Sequence, residues 1–400
     1  MRTPTAPPPV PGVRRFRLYA AAAFAFAWVP IMWTAFHIDR GFSVEQYARM
    51  WAVYYAAMVL AELPWGWVAD RFGKRPLLIA GPLVLGATFV VLGRATDVQT
   101  CLVAMAVMGS AHAMISGADS AWLYELLLAA DRTDQALHEE AVAHRWRLLG
   151  VCVADLLGGF AAFHFGTAAA FDLAALAMLG GASLAYGLPR VGGAGRDVAK
   201  AAPGDPIRLL DDLRRPGVLW CFAWFAAVFV LLRVGFQLYQ PSLLHREFSD
   251  LRIHGATFAA LNLVAGTAAV FVPAVYSRLG ERGTALAVLV LIALAFSGLA
   301  VAGPLALLPC LALQQVSFAF LQPVGRTALN HRVPSRDRAS LLSAQSVAGR
   351  LAFAGVLGVA GGASILRDLD HTYAVLAIAT ATMGAALMLR APAPPPIDRA

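Results

Sequence analysis

Twelve apolar runs, each about 18 or more residues long, constrain this chain more than any other feature. A run of that length crosses a ~30 Å hydrocarbon core as a helix. The runs lie near 17–38, 48–69, 76–95, 100–127, 142–164, 168–188, 217–240, 254–276, 284–302, 304–329, 339–365 and 371–390. Their continuous apolarity reads as helix, because barrel strands are about ten residues long and alternate. Composition agrees: 59% of residues are hydrophobic and 14% charged, against about 45–50% and 25% in soluble domains. The expected fold is an all-α membrane protein with twelve transmembrane helices.

The net charge of +8 is a matter of topology. With the N-terminus placed inside, only Arg40, Arg49, Arg94, Arg246, Arg252 and Arg367 fall in outer segments, and Arg233, Arg326 and Arg350 fall within spans. The other Lys and Arg residues lie on the inner side, the distribution expected of a chain with both termini cytoplasmic. Nucleic acid is not implied. Arg14-Arg15 before the first run reads as the basic anchor of an uncleaved helix, since the run is too long for an export signal and lacks a small-residue cleavage site. Cys101, Cys152, Cys221 and Cys310 sit singly in different spans, so they read as small buried apolar residues, and no metal spacing is present.

A charged glycine turn, Gly66-Trp67-Val68-Ala69-Asp70-Arg71-Phe72-Gly73-Lys74-Arg75, separates the second and third runs. A worn copy, Ser277-Arg278-Leu279-Gly280-Glu281-Arg282, follows about 207 positions later, with Arg71 on Arg278, Gly73 on Gly280 and Arg75 on Arg282. The repeat divides the chain into two pseudo-symmetric six-helix bundles, 14–188 and 217–391, with tails at 1–13 and 392–400. The linker 189–216 holds Ile207, Leu210 and Leu213 at helical spacing among charged residues, the pattern of a short amphipathic helix on the inner surface.

Over nearly its whole length the chain resembles the major facilitator superfamily. Gly66, Asp70, Arg71, Gly73, Lys74 and Arg75 match that family's loop between helices 2 and 3 almost completely. Glu62-Leu63-Pro64-Trp65-Gly66 and the stretch from Ser116 to Glu125 resemble a bacterial subgroup, with Trp65 replacing the usual Thr. The resemblance implies a secondary active transporter of a small organic molecule, monomeric, in the inner membrane, working by alternating access, with proton-coupled efflux the expected mode. A proton-coupled importer and a non-transporting sensor are the competing readings. Drug export in particular lacks its marks: helix 4 (100–127) has no Arg and helix 5 no Gly-Pro pair. No phosphate-binding loop or catalytic motif is present, so neither an enzyme nor a cofactor is expected.

The resemblance also implies that Asp70, Arg71, Lys74 and Arg75 belong to a cytoplasmic gate that binds across the halves, with Glu125 as a partner for Lys74 or Arg71. Glu62 lies eight residues before Asp70, so roughly 12 Å deeper along a helix. A carboxylate at that depth must be neutralised, paired or wet, which makes it a candidate proton site or a structural hydrogen-bonding group. The 207-residue offset maps Asp119 onto Arg326: either an ion pair between them serves as a coupling or gating element, or each bonds within its own half. Arg233 with Gln237, Tyr239 and Gln240 gives helix 7 a polar stripe. The Arg233 fork suits a carboxylate or phosphate, or it snorkels to the outer interface. His37, Asp155, Asp172 and Arg350 are weaker candidates, and His112 reads equally as a packed core histidine.

Overall fold

The spans fold as helices in the computed structural model, which describes residues 10–191, 213–301, 303–334, 337–360 and 368–392. The tail 1–9, most of the linker with its expected amphipathic helix, Gly361 and Gly362, and 393–400 lie outside the described residues. Thirteen helices are described: α1 Val13–Ala22, α2 Val44–Phe72, α3 Lys74–Arg94, α4 Val98–Ile115, α5 Ala118–Ala129, α6 Ala136–Phe165, α7 Thr167–Tyr186, α8 Pro216–Gln237, α9 Tyr239–His245, α10 Leu251–Val301, α11 Pro304–Asn330, α12 Arg338–Ala360 and α13 Leu369–Leu389. No strand occurs among the described residues. Nine of the described segments are long and apolar enough to cross a bilayer, so the chain is a multi-pass membrane protein. Leu60 is 76% exposed and Ile378 65%. On spans of this length and apolarity such side chains suit a surface facing lipid.

Five of the twelve expected runs differ in form. The run 17–38 is not one helix: α1 stops at Ala22, a short 3-10 turn spans Val29–Ile31 and a π-helical turn spans Thr34–Ile38. Part of the cause is local, since Pro30 lies in the 3-10 turn and has no N–H to continue a helix; part is tertiary. A Cβ on Gly158 of α6 would overlap the Ala27 carbonyl oxygen, so the broken strand of backbone and α6 interlock at this glycine. The run 100–127 is divided into α4 and α5 at Ser116-Gly117, where Gly117 takes φ +83°. The run 217–240 is divided at Leu238 between α8 and α9. The runs 254–276 and 284–302 join in the 51-residue α10, whose backbone turns at the non-helical Gly280.

Gly73 and Gly280 hold matching extended turns with φ of +87° and +66°, a region that favours glycine. The same offset relates two ion pairs. Lys74 Nζ meets Glu125 Oε1 at 2.5 Å, and Arg332 Nη2 meets Glu281 Oε1 at 2.6 Å. Positions 74 and 281 correspond, as do 125 and 332, with both signs reversed.

Helices up to α7 pack on one another, as do those from α8 onward. Between these sets, α2 packs on α12 and α6 on α10, where Gly159 lies against Gly255 with no room for a side chain. The end that carries residues 10–15, the turns at Gly73 and Gly280, and Ala391 is called the terminal end here: Arg15 bonds the Gly187 carbonyl, Arg75 the Tyr186 carbonyl, and Arg282 the Pro392 carbonyl. The opposite end is the far end.

Candidate functional site

The break in the first span opens a cavity of about 220 Å³ between the two sets of helices. Phe24, Phe26 and Val29 reach it from the broken segment, and Arg147, Val151 and Asp155 from one face of α6. The other wall holds Leu232, Arg233 and Phe236 of α8, Tyr239 of α9, Phe258 and Asn262 of α10, and Gln314, Gln315 and Phe318 of α11. Aromatic rings and aliphatic chains dominate, with a few polar groups converging, which is how small-molecule sites are built.

Each polar group has a distinct setting. Arg147 Nη2 donates to Asp119 Oδ2 at 2.7 Å, and its guanidinium lies 4.2 Å from the Phe24 ring centre. Asp119, 5% exposed, also accepts from the Ser120 backbone N–H at 2.8 Å. The expected Asp119–Arg326 pair is therefore not formed. Corresponding depth in two repeats does not bring side chains together when a cation on the adjacent helix is nearer. Arg326 instead lines an open cleft of about 820 Å³ at the terminal end, together with Lys74, Ser120, Glu125 and Glu140.

Asp155 is 2% exposed, and its Oδ2 accepts from Asn262 Nδ2 at 2.9 Å, joining α6 to α10 across the halves. Arg233 sits among Phe229, Phe236 and Phe318, with centroid distances of 5.5, 6.0 and 5.4 Å. Cation–π contact of this kind partly replaces lost hydration. Gln314 is 1% exposed and lies against Gly235, where a Cβ would displace its amide.

The expected polar stripe on helix 7 splits at Leu238. Arg233 and Tyr239 face the cavity, while Gln237 and Gln240 close the far end. Gln240 Oε1 accepts from the Trp33 N–H at 2.6 Å and the Thr34 N–H at 3.4 Å, and its Nε2 donates to Thr34 Oγ1 at 2.9 Å. Tyr47 Oη donates to Gln237 Oε1 at 3.0 Å. Trp33 and Gln240 are themselves 207 residues apart, so related positions meet at this seal.

Glu62 is bonded to Arg350, joining α2 to α12. Of the loop motif, Asp70 and Arg71 are exposed, and Arg71 stacks near Trp67 and Phe72. Gly66 has open space around it, Lys74 holds Glu125, and Arg75 bonds the Tyr186 carbonyl. Lys74 and Arg75 thus bond within their own half. Arg147, Asn262, Gln314 and Gln315 were not singled out from the sequence. Arg147 counted there as one more inner-side basic residue, although an arginine only one position before the apolar Leu148-Leu149 carries a signal of burial.

Comparison with known proteins follows this geometry. The Major Facilitator Superfamily sequence model matches residues 16–356. No curated protein sequence matches. Among solved structures, a mutant of the nucleoside transporter NupG superposes with a TM-score of 0.84 at 13% identity, covering 94% of this chain and 99% of that one. A mutant peptide transporter, POT, gives 0.72 at 15% identity, covering 95% and 93%. A bacterial homologue of the human lysosomal transporter Spinster, inward-facing and unoccupied, gives 0.74 at 13% identity, covering 94% and 96%. Likeness at these identities concerns the fold.

Proposed function

The chain belongs to the major facilitator superfamily and is a transporter, not an enzyme; we propose that it moves a small organic molecule across the bilayer by alternating access, driven by protons. The observation that carries this reading is the cavity walled by helices from both halves, with hydrogen bonds through Gln240 closing one end of it. On this reading the nine apolar spans, one of them doubled at Gly280, join α2 and the broken first segment to make twelve crossings, arranged as two six-helix bundles. The basic residues put the terminal end in the cytoplasm of the cell that houses the protein in its inner membrane. The conformation is then inward-facing, with the outer end sealed.

Reversal requires the far-end bonds to break and the terminal-end cleft to close. Asp70, Arg71, Lys74, Arg75 and Glu125 border that cleft or lie beside it, and they form the cytoplasmic gate in the opposite conformation, around the turn glycines Gly66 and Gly73. Glu62 and Asp155 are the proton-coupling candidates, because each is a carboxylate in a span that touches the other half through a single side chain. A proton entering down a 100 mV potential releases about 2.3 kcal/mol, and a tenfold change in an equilibrium costs about 1.4 kcal/mol. One proton thus sustains roughly a fiftyfold substrate gradient. Efflux by antiport is the proposed direction, with a monomer as the working unit.

The test is proton exchange. Purified protein in weakly buffered detergent should exchange protons with the medium on binding substrate, and Glu62→Gln or Asp155→Asn should remove that exchange. Proteoliposomes with opposed pH gradients then give the direction. Substrate accumulation unaffected by either gradient would reject proton coupling.

A further inference from the structure

We propose that the cavity selects a small organic anion bearing one aromatic ring, its acid group held by Arg233 and Gln314 and within reach of Arg147. The proposal rests on reading this cavity as the transport site. Three buried N–H groups on its walls have no acceptor: Arg147 Nε, Arg233 Nε and the amide nitrogen of Gln314, whose Oε1 is likewise without a donor. Buried donors of this kind are costly unless something satisfies them. A carboxylate, which only accepts, answers all three in kind.

Charge points the same way. Asp155 is the one carboxylate among the described lining residues, and it accepts a hydrogen bond from Asn262. Arg147 is offset by Asp119, whereas no ion pair reaches Arg233 from the described residues, only aromatic rings. An amine ligand would meet that uncompensated guanidinium, and a neutral one would leave it unanswered. Phe24, Phe236, Phe258 and Phe318 offer flat apolar faces to the rest of the ligand. A volume of about 220 Å³ falls below the 300–1,000 Å³ usual for drug-sized ligands, which favours a single ring with a short acid arm over a peptide. Arg147 adds a consequence: an entering anion competes with Asp119 for its guanidinium and loosens the α5–α6 contact near the terminal-end cleft.

The experiment uses the purified full chain and four probes of like size: phenylacetate, phenylacetamide, phenethylamine and hexanoate. Binding is read by titration of thermal stability. Phenylacetate should stabilise the protein, hexanoate less, and the amide and amine not at all. Arg233→Gln should weaken phenylacetate about ten- to a hundredfold, the loss expected of one charge-assisted bond, and Arg233→Lys should recover part of it. If Arg233→Gln does not fold, Gln314→Leu supplies the same comparison with a smaller loss. Equal binding of acid, amide and amine, full phenylacetate affinity in the folded variant, or no binding of phenylacetate would overturn the proposal. If phenylacetamide binds and Phe318→Ala abolishes it, the cavity stands as a binding site and only the anion assignment falls.

Discussion

Replacing Gln240 by Leu should unseal the far end. The Gln240 side chain is fully buried and spans the halves through a bond to Trp33 at 2.6 Å, one to Thr34 Oγ1 at 2.9 Å and a longer one to Thr34 N at 3.4 Å. Leucine keeps the bulk and removes all three. At about 1 kcal/mol net for each bond, and less for the long one, the far-closed state loses about 2–3 kcal/mol. With 1.4 kcal/mol per tenfold, the ratio of far-open to far-closed molecules rises about thirty- to a hundredfold. A far-open population of about 1%, ordinary for a minor state, would grow to roughly a quarter to a half. Spin labels at the exposed Gln99 and Leu305, near the far ends of α4 and α11, would report this as a second, longer distance. Tyr47→Phe removes only the 3.0 Å bond to Gln237 and should shift the ratio about fivefold. A Gln240→Leu distribution no broader than that of Tyr47→Phe, in protein of unchanged stability, would refute the assignment of the seal.

Three further outcomes follow from the ion pairs and the interlocked glycine. Glu281→Gln should lower the unfolding temperature far more than Glu125→Gln. The Glu281–Arg332 side chains are 4% and 8% exposed, so breaking the pair costs about 3–5 kcal/mol, while those of Glu125 and Lys74 are 25% and 16% exposed and the loss there is about 1 kcal/mol. Glu62→Gln should destabilise the protein by about 1–3 kcal/mol by leaving Arg350 without its carboxylate, and Glu62→Gln with Arg350→Gln should regain most of it, as a double-mutant cycle in melting temperature would read. Gly158→Val should abolish the folded, monodisperse peak in size-exclusion chromatography, because the side chain overlaps the Ala27 carbonyl. Gly181→Ala, whose added methyl would meet only ordinary contacts beyond 3.4 Å, should leave that peak intact.

The spans and the turn at Gly73 were legible because their signals are local: apolar length, inner-side arginines, and a glycine between two runs. What the sequence hid was relational. The offset correctly matched Gly73 with Gly280, but it could not say that Asp119 would turn toward Arg147 on the neighbouring helix and away from Arg326. Glu62 and Arg350 were each visible as charges inside spans, yet their meeting depends on α2 lying against α12. The break in the first span has one local sign, Pro30, but its extent back to Ala22 is not written in a run of Ala, Phe and Trp, since Gly158, more than a hundred residues away, lies against that backbone. Asn262 and Gln314 gave no signal because single amides in spans resemble helix–helix packing groups until a cavity gathers them.

The sign reversal between corresponding positions restricts how such a molecule can be assembled. Lys74 and Glu125 become Glu281 and Arg332, and Asp119 becomes Arg326. Lys74–Glu125 and Glu281–Arg332 each close within one half, so neither half needs the other to neutralise these charges. A chimera that exchanged only one member of a pair between the halves would set lysine beside arginine or glutamate beside glutamate, so each pair can be transplanted only as a unit.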